Sequence, residues 1–188
     1  MSYDIYMLGH KDGENLQDAL NRFTSEQEQE SGPGPLDPEK ETRKRNIAAK
    51  LVQMNPSLEI FQFDYPKLAA MDNISEEEAR IKYRYVEING PEDSNGIQID
   101  LFDDSATITV PFWHKGKKAE DTFKEIWQYL KIIGQESGYF PYDPQFDRAL
   151  DLDSDFTEVL SCYQGTTGKM DKIIGAMDSP KKPWWKFW

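Results

Sequence analysis

The chain has few of the residue types on which disulfide bonding, metal binding and thiol catalysis depend. Its 188 residues include one cysteine, Cys162, and two histidines, His10 and His114. A single cysteine excludes a disulfide within the chain, and two histidines exclude a histidine-rich metal site. We expect Cys162 to be a buried, unreactive thiol on a helix and both histidines to lie in surface loops.

Long apolar runs are also absent, as is a glycine-rich loop of the kind that binds phosphate. No stretch of about 18 apolar residues occurs, and the first residues lack the basic and apolar regions of a secretory signal. The sequence Gly-Thr-Thr-Gly at 165–168 lacks the preceding strand and the lysine of a phosphate-binding loop. These observations predict a cytoplasmic protein without a cofactor.

Positive charge is scarce. The chain has 22 lysines and arginines against 34 aspartates and glutamates, which gives a formal net charge of -12. Such an excess of acid disfavours nucleic acid as a partner, because a phosphate backbone needs compensating basic side chains. It disfavours membrane contact as well and favours a basic protein partner. We therefore interpret the basic run at 40–45 as the solvated face of a helix.

Hydrophobic periodicity predicts an α+β fold in a single domain over residues 1–178. Strands are predicted at residues 3–8, 58–63, 83–88, 96–102 and 105–112. The last two are predicted to pair as an antiparallel hairpin with one face on the core and one in water. We expect an antiparallel sheet with helices packed on one face.

A long amphipathic helix beginning near Lys115 is the element around which we expect the domain to be built. Its apolar side chains recur every three or four residues and predict one wide buried stripe. The stripe consists of Ala119, Phe123, Ile126, Trp127, Leu130 and Ile133. Gly134 and Gly138 are predicted to end this helix, because glycine adopts the left-handed conformation without a Cβ clash.

Capping residues predict where other helices begin. Asp37 followed by proline is a typical helix start, and Ser75 with Glu78 fits a capping box. Asp153 or Ser154 is predicted to cap a last helix, which the glycines at 165 and 168 are expected to break.

Two segments are predicted to lie outside the packed core. Residues 25–36 are polar and rich in turn-forming residues, which predicts a mobile loop after a helix at 15–23. Residues 179–188 form a tail of lysine, proline and aromatic side chains. We expect this tail to fold back on the domain, with a partner groove or a membrane interface as alternatives.

Acidic residues are the candidates for partner binding. They are Asp103 and Asp104 in the predicted hairpin turn, and Asp147, Asp151 and Asp155 further along the chain. The three aspartates at 151–155 begin like a calcium-binding loop, but phenylalanine and cysteine stand where that loop needs glycine and glutamate. No metal site is predicted. No catalytic residue is assigned either, because sequence spacing does not place two carboxylates at the separation that hydrolysis requires.

The sequence YDPQ at 142–145 is predicted to form a structural corner. Proline fixes its own φ and restricts the residue before it, so the chain must leave the preceding strand in a defined turn. We expect Tyr142 to be largely buried and Asp143 to accept a backbone N–H within the turn.

Two short motifs, MSYDIY at 1–6 and YDPQ after a long helix and a glycine, resemble those of small uncharacterised acidic bacterial proteins. Some of these look like the immunity partners of secreted bacterial toxins. The resemblance implies a non-catalytic protein that neutralises a basic toxin domain through an acidic surface. Two alternatives stay open. One is a carboxylate-dependent hydrolase that uses Asp143, Asp147 and Asp151 near a cleft, and the other is an adaptor that docks through its aromatic tail.

Overall fold

The computed structural model describes residues 2–11, 13–28, 35–91 and 94–178, with side chains for all of these except 26–28 and 169–178. The tail at 179–188 lies outside the described residues. Within them, the elements in chain order are β1 Ser2–Leu8, α1 Leu16–Glu28, α2 Pro38–Met54, β2 Glu59–Ile60, α3 Tyr65–Asp72, α4 Glu76–Lys82, β3 Val86–Asn89, β4 Gln98–Leu101, β5 Ser105–Pro111, α5 Gly116–Ser137, β6 Phe140–Asp143, β7 Arg148–Ala149 and α6 Phe156–Asp178.

The strands of the described residues form one antiparallel sheet in the order β2-β3-β4-β5-β1-β6-β7. The fold is α+β, as predicted. The predicted hairpin is present as β4 and β5, with Ile99 opposite Ile108. The predicted strand at 58–63 is shorter, with two paired residues in β2, because the chain turns into α3 at Asp64. The Asp64 carboxylate accepts the backbone N–H of Lys67 and so begins a helix that the sequence analysis does not predict.

Helices α2, α5 and α6 pack on one face of the sheet, which we call the inner face. Its buried side chains are Tyr3, Ile5, Met7, Ile88, Ile99, Leu101, Ala106, Ile108 and Val110. The predicted stripe of α5 is confirmed, since all six of its residues are buried and belong to the same core. The apolar side chains that alternate along the strands and those that recur along α5 therefore meet in one layer.

Local signals begin or end three helices as predicted. The Asp37 carboxylate accepts two backbone N–H groups in the first turn of α2. Ser75 and Glu78 form a reciprocal capping box at the start of α4. Gly138, with a φ of 72°, ends α5. At each of these points the signal is a hydrogen bond or a backbone conformation that depends on residues close in sequence.

Other helix boundaries differ from the prediction. α1 continues to Glu28, so the predicted loop is helical up to that residue, and residues 29–34 lie outside the description. α5 passes through Gly134, and α6 passes through the glycines at 165 and 168. A glycine in a helix costs about 1 kcal/mol relative to alanine. Packing of Val159 and Tyr163 in the core offsets that cost for α6.

Contrary to the prediction, His114 is buried. Its ring Nε2 lies 2.6 Å from the backbone oxygen of Asn95, and its backbone N–H donates to the Tyr163 hydroxyl at 3.2 Å. The Asn95 side chain donates in turn to Glu125 of α5 at 2.8 Å. His114 thus connects the segment before β4 to two helices, an arrangement that depends on residues distant in sequence.

A bilayer crossing needs a helix that is both long and strongly apolar. Among the described residues no helix meets both requirements.

Candidate partner-binding face

Asp103 and Asp104, two of the predicted binding residues, lie between β4 and β5 and are held by basic side chains of the chain itself. Asp103 accepts a hydrogen bond from Lys44 Nζ at 2.9 Å and pairs with Arg84. Burial opposes ionisation of Asp103, but the hydrogen bonds from Lys44 and Arg84 outweigh it and lower the pKa of this carboxyl. Lys40 Nζ lies 2.6 Å from the Asp104 carboxylate. The two aspartates therefore join the hairpin turn to α2.

Lys40, Arg43 and Lys44 of the basic run are accordingly not on a solvated face, contrary to the prediction, whereas Arg45 is exposed as predicted. The Lys44 side chain is 1% exposed and also donates to the backbone oxygen of Arg84 at 3.0 Å. Arg43 donates to the backbone oxygen of Asp103 and, at 2.8 Å, to the Tyr139 hydroxyl. Taking an ammonium group out of water is costly unless such partners surround it, so this network is structural.

The other three predicted residues lie after β6, near the β7 edge of the sheet. Asp155 accepts from Arg148 at 2.5 Å and from the backbone N–H of Asp151 at 2.7 Å, and these hydrogen bonds lower the pKa of the Asp155 carboxyl. Asp151 accepts the backbone N–H of Asp153 at 2.9 Å, and Asp147 accepts the Tyr142 hydroxyl at 2.8 Å. Helix α6 begins at Phe156, so the residue before it is Asp155, one or two residues later than the predicted cap at Asp153 or Ser154. These acids accept hydrogen bonds within the turns that precede α6.

The face of the sheet opposite the core, which we call the outer face, is formed by the alternate residues of the same strands. One row across the sheet consists of Glu87, Asp100, Thr107, Tyr6 and Tyr142, and the next consists of Glu59, Asn89, Gln98, Thr109 and Asp4. Helix α1 packs on this face near β1, where the Phe23 ring lies 5.0 Å from the Tyr6 ring. Over β3, β4 and β5 the paired side chains of the outer face are half-buried.

Glu87 and Asp100 lie directly opposite each other on neighbouring strands of the outer face. Carboxylates in this position repel each other. Asn89 donates to Glu87 at 2.8 Å and Gln98 donates to Asp100 at 3.0 Å, but within the described residues neither carboxylate has an ion pair with lysine or arginine. Burial raises the pKa of Asp100; the hydrogen bond from Gln98 opposes this rise and the charge of Glu87 adds to it. The pair is therefore an uncompensated negative site.

Asp4, in the row that also contains Glu59, places another acid on the outer face. Its Oδ2 accepts from the Ser2 hydroxyl at 3.3 Å. Its Oδ1 is buried and has no hydrogen-bond partner among the described residues. A buried oxygen without a donor is costly, so this acid too lacks compensation within the described chain.

Aromatic side chains border the acid pair and form what we call the aromatic group: Phe61, Phe63, Tyr85 and Phe102. Ring centroids are 5.2 Å apart for Tyr85 and Phe102, 5.0 Å for Phe63 and Tyr85, and 5.1 Å for Phe61 and Phe63. Phe61 is 48% exposed and Phe102 is 39% exposed. Exposed rings that lie together in this way are typical of a contact surface.

Tyr85 connects the aromatic group to the acids. Burial raises the pKa of Tyr85 to about 12, and the charges of Glu87 and Asp100 add to the rise. The backbone N–H of Phe61 donates to the backbone oxygen of Glu87 at 2.9 Å, so residue 61 lies opposite Glu87. The acids and the rings thus form one continuous surface.

Part of this surface could be predicted from the sequence pattern. Alternation along the predicted hairpin assigns Asp100 to the solvent side of β4. It does not show that Glu87 lies opposite, because the register between β3 and β4 is determined by a connection whose folding the sequence pattern does not reveal.

In the YDPQ corner, Asp143 is the fully buried residue, whereas Tyr142, predicted to be largely buried, is half-buried. Asp143 accepts the Tyr3 hydroxyl at 2.5 Å and, as predicted, the backbone N–H of Gln145 at 2.8 Å. Pro141 and Asp143 point to the core because they share the inner face of β6, which turns Tyr142 outward. Burial raises the pKa of Asp143, and the hydrogen bonds from Tyr3 and Gln145 oppose that rise.

The remaining chemistry-bearing residues do not converge on a reaction centre. Within the described residues no three histidine, cysteine, aspartate or glutamate side chains form a metal-binding group. His10 is exposed as predicted, and Cys162 is half-buried rather than buried. A cleft of about 510 Å³ between α2 and α5 is lined by Pro38, Glu39, Thr42, Arg43, Asn46 and Glu136. The Arg43 guanidinium of this cleft already donates to two internal acceptors.

The chain matches no family model, and neither a curated protein nor a solved structure is significantly similar to it.

Proposed function

We propose that this protein is a non-catalytic binding protein of the immunity type, which neutralises a basic toxin domain through the outer face of its sheet. The observation that carries the proposal is the uncompensated pair of Glu87 and Asp100 beside exposed rings of the aromatic group. The net charge of -12 supports it, because an acidic protein attracts a basic partner and accelerates their encounter. The MSYDIY and YDPQ motifs add the resemblance to immunity proteins.

The outer face suits this role better than the five aspartates that the sequence analysis selects. Asp103, Asp104 and Asp155 already have cationic partners within the chain. A partner that recruited them would have to displace those groups, and breaking a partly buried pair is costly. Within the part of the chain that the structure describes, Glu87 and Asp100 have no such pair to lose.

No observation favours the two alternatives. A carboxylate-dependent hydrolase would use Asp143, Asp147 and Asp151, but Asp143 is buried against Tyr3 and the other two accept hydrogen bonds in turns. The adaptor alternative depends on residues 179–188, which lie outside the described residues.

The test is protection of bacteria from a toxin encoded beside the gene of this protein. We expect the wild-type chain to restore growth and the double variant Glu87→Lys/Asp100→Lys to lose protection. The matched control is Glu77→Lys/Asp153→Lys, which changes the net charge equally at exposed sites on other elements and should protect like the wild type. Thermal melts of each purified variant check that it folds.

Two outcomes would contradict the proposal. If the wild-type chain protects against no toxin encoded beside it, the immunity function is wrong. If both double variants lose protection equally while remaining folded, overall charge matters and the outer face is not the binding surface.

A further inference from the structure

The acid pair of the outer face is unfavourable for the folded chain by itself. Glu87 and Asp100 are registered cross-strand neighbours on a half-buried face, and like charges in that position destabilise a sheet. Amide side chains donate to each of them, but a neutral amide does not cancel the charge. A group that cancels the repulsion must therefore carry positive charge.

The aromatic group determines which positive group fits. Tyr85 precedes β3 and Phe102 follows β4, each two residues from its acid, and their rings pack against each other. The backbone of Phe61, just after the edge strand β2, donates to the backbone oxygen of Glu87. A cation at the carboxylates would therefore extend its stem over rings. Guanidinium groups stack on aromatic rings and donate to carboxylates through several N–H groups at once, whereas an ammonium group is a strongly hydrated point charge.

The chain itself contains this arrangement elsewhere. The Arg148 guanidinium lies 5.4 Å from the centroid of the Phe146 ring and pairs with Asp155 at 2.5 Å and Glu158 at 2.7 Å. One ring and two carboxylates thus hold one arginine. The outer face presents the same set of groups, two carboxylates and adjoining rings, but no arginine of the described residues pairs with these carboxylates.

We propose that the outer face over β3 and β4 binds an arginine side chain of a basic protein partner. The guanidinium donates to the carboxylates of Glu87 and Asp100, and the aliphatic stem packs on Tyr85 and Phe102. This inference rests on the proposed function, because it specifies how that same face recognises a toxin domain. Asp4 and Glu59 add further negative charge to the face, which favours a partner segment with more than one basic residue.

Charge complementarity selects a basic partner over a second copy of the chain. Two copies meeting through their outer faces would bring four carboxylates of the two acid pairs together, and each chain has a formal net charge of -12. Such an encounter is repulsive, whereas a basic segment gains from the same field.

The experiment uses the blocked peptide acetyl-Gly-Arg-Gly-amide as the probe, with lysine and citrulline peptides of the same length as comparators. Backbone amide shifts of the full chain are followed by NMR during titration at low salt. We expect saturable shifts concentrated at residues 85–89 and 98–102, stronger binding of arginine than of lysine, and no binding of citrulline, which has the shape of arginine without its charge.

Variants identify the groups that bind the probe. Glu87→Gln/Asp100→Asn should weaken binding of the arginine peptide by about tenfold, and Phe102→Ala by about threefold through the lost ring. The control Glu77→Gln/Asp153→Asn removes the same charge at exposed sites elsewhere and should bind like the wild type.

Several results would overturn the inference: equal binding of the arginine and lysine peptides, shifts spread over the whole surface, or unchanged binding by Glu87→Gln/Asp100→Asn. Shifts of the same amides on concentrating the protein alone would assign the face to a second copy and overturn it as well. Peptide binding at this face without toxin protection would keep the inference and remove the proposed function. Protection that depends on the outer face, without arginine-selective binding of the peptide, would keep the proposed function and overturn the inference.

Discussion

The inner and outer faces of the sheet are formed by alternate residues of the same strands, yet they differ in almost every property. Ile88, Ile99 and Ile108 form a continuous buried row on the inner face. One residue along each strand, Glu87, Asp100 and Thr107 form a half-buried polar row on the outer face. The helices that pack on the first row take its side chains out of water, whereas the second row has two like charges on directly opposite residues.

The difference separates residues that stabilise the fold from residues that are free to bind. Apolar burial on the inner face is the main stabilising contribution, at about 25 cal/mol per Å² removed from water. The acid pair on the outer face opposes folding by a small amount and is tolerable because the inner face stabilises the same strands. Charged residues that do stabilise the fold, such as Lys44 with Asp103, lie where helix and hairpin meet.

The largest effect on the free energy of unfolding should come from shortening an inner-face side chain. Ile108→Ala should lower the free energy of unfolding by about 3 kcal/mol, because it leaves a cavity in a fully buried layer. Thr107→Ala, one residue away on the outer face, should change it by about 0.5 kcal/mol or less. Urea denaturation of both variants measures the contrast, and similar losses would mean that the two faces contribute equally to stability.

A smaller loss should follow removal of an acid that joins helix to hairpin. Asp103→Ala should destabilise the protein by about 2 kcal/mol, because it leaves the buried Lys44 ammonium with fewer partners. Asp153→Ala is the control, since that side chain is 93% exposed and should not measurably change stability. If the Asp103 variant binds its partner more weakly while retaining its stability, the aspartate is a binding residue and the structural interpretation is wrong.

Asp143 should give the inner face a distinctive pH dependence. Its pKa is raised in the folded state, so the folded protein holds a proton that the unfolded chain releases at lower pH. Its stabilising contribution is therefore complete at low pH and is lost as the pH rises from about 4 through the folded-state pKa. Urea melts at several pH values should show that the stability of the wild type relative to Asp143→Asn falls over this range.

Carboxylates with lowered pKa values, such as Asp103, act in the opposite direction, but they are present in both proteins and cancel in the difference. A difference between wild type and Asp143→Asn that stayed constant with pH would contradict the prediction.

The smallest predicted effect is a gain in the stability of the folded protein. Glu87→Gln should stabilise the protein by about 0.5 kcal/mol at low salt, because it removes the repulsion of Asp100 while keeping the acceptor for Asn89. The gain should shrink as salt screens the pair. Denaturant melts at two ionic strengths provide the measurement. A loss of stability instead would mean that the acid pair is already compensated within the chain.

Much of the fold could be predicted from local pattern. The β4–β5 hairpin, the stripe of α5 and the start of α2 at Asp37 follow from periodicity and capping, which depend on residues close in sequence. The course of α6 could not be predicted in this way, because packing in the core carries it through two glycines that local propensity treats as breaks. The burial of His114 likewise depends on Asn95 and Tyr163, which are distant in sequence.

The candidate site, like the fold, could be predicted only in part from the sequence. Composition alone determined that the protein is acidic, which is the basis for proposing a basic partner, and alternation determined which residues of β4 face away from the core. Tertiary structure decided which acids are available. It paired Asp103 and Asp104 with basic side chains of α2 and placed Glu87 opposite Asp100 without a cation among the described residues. A charge is counted from sequence, but whether it is neutralised depends on distances between residues far apart in the chain, since electrostatic energy falls with separation in space.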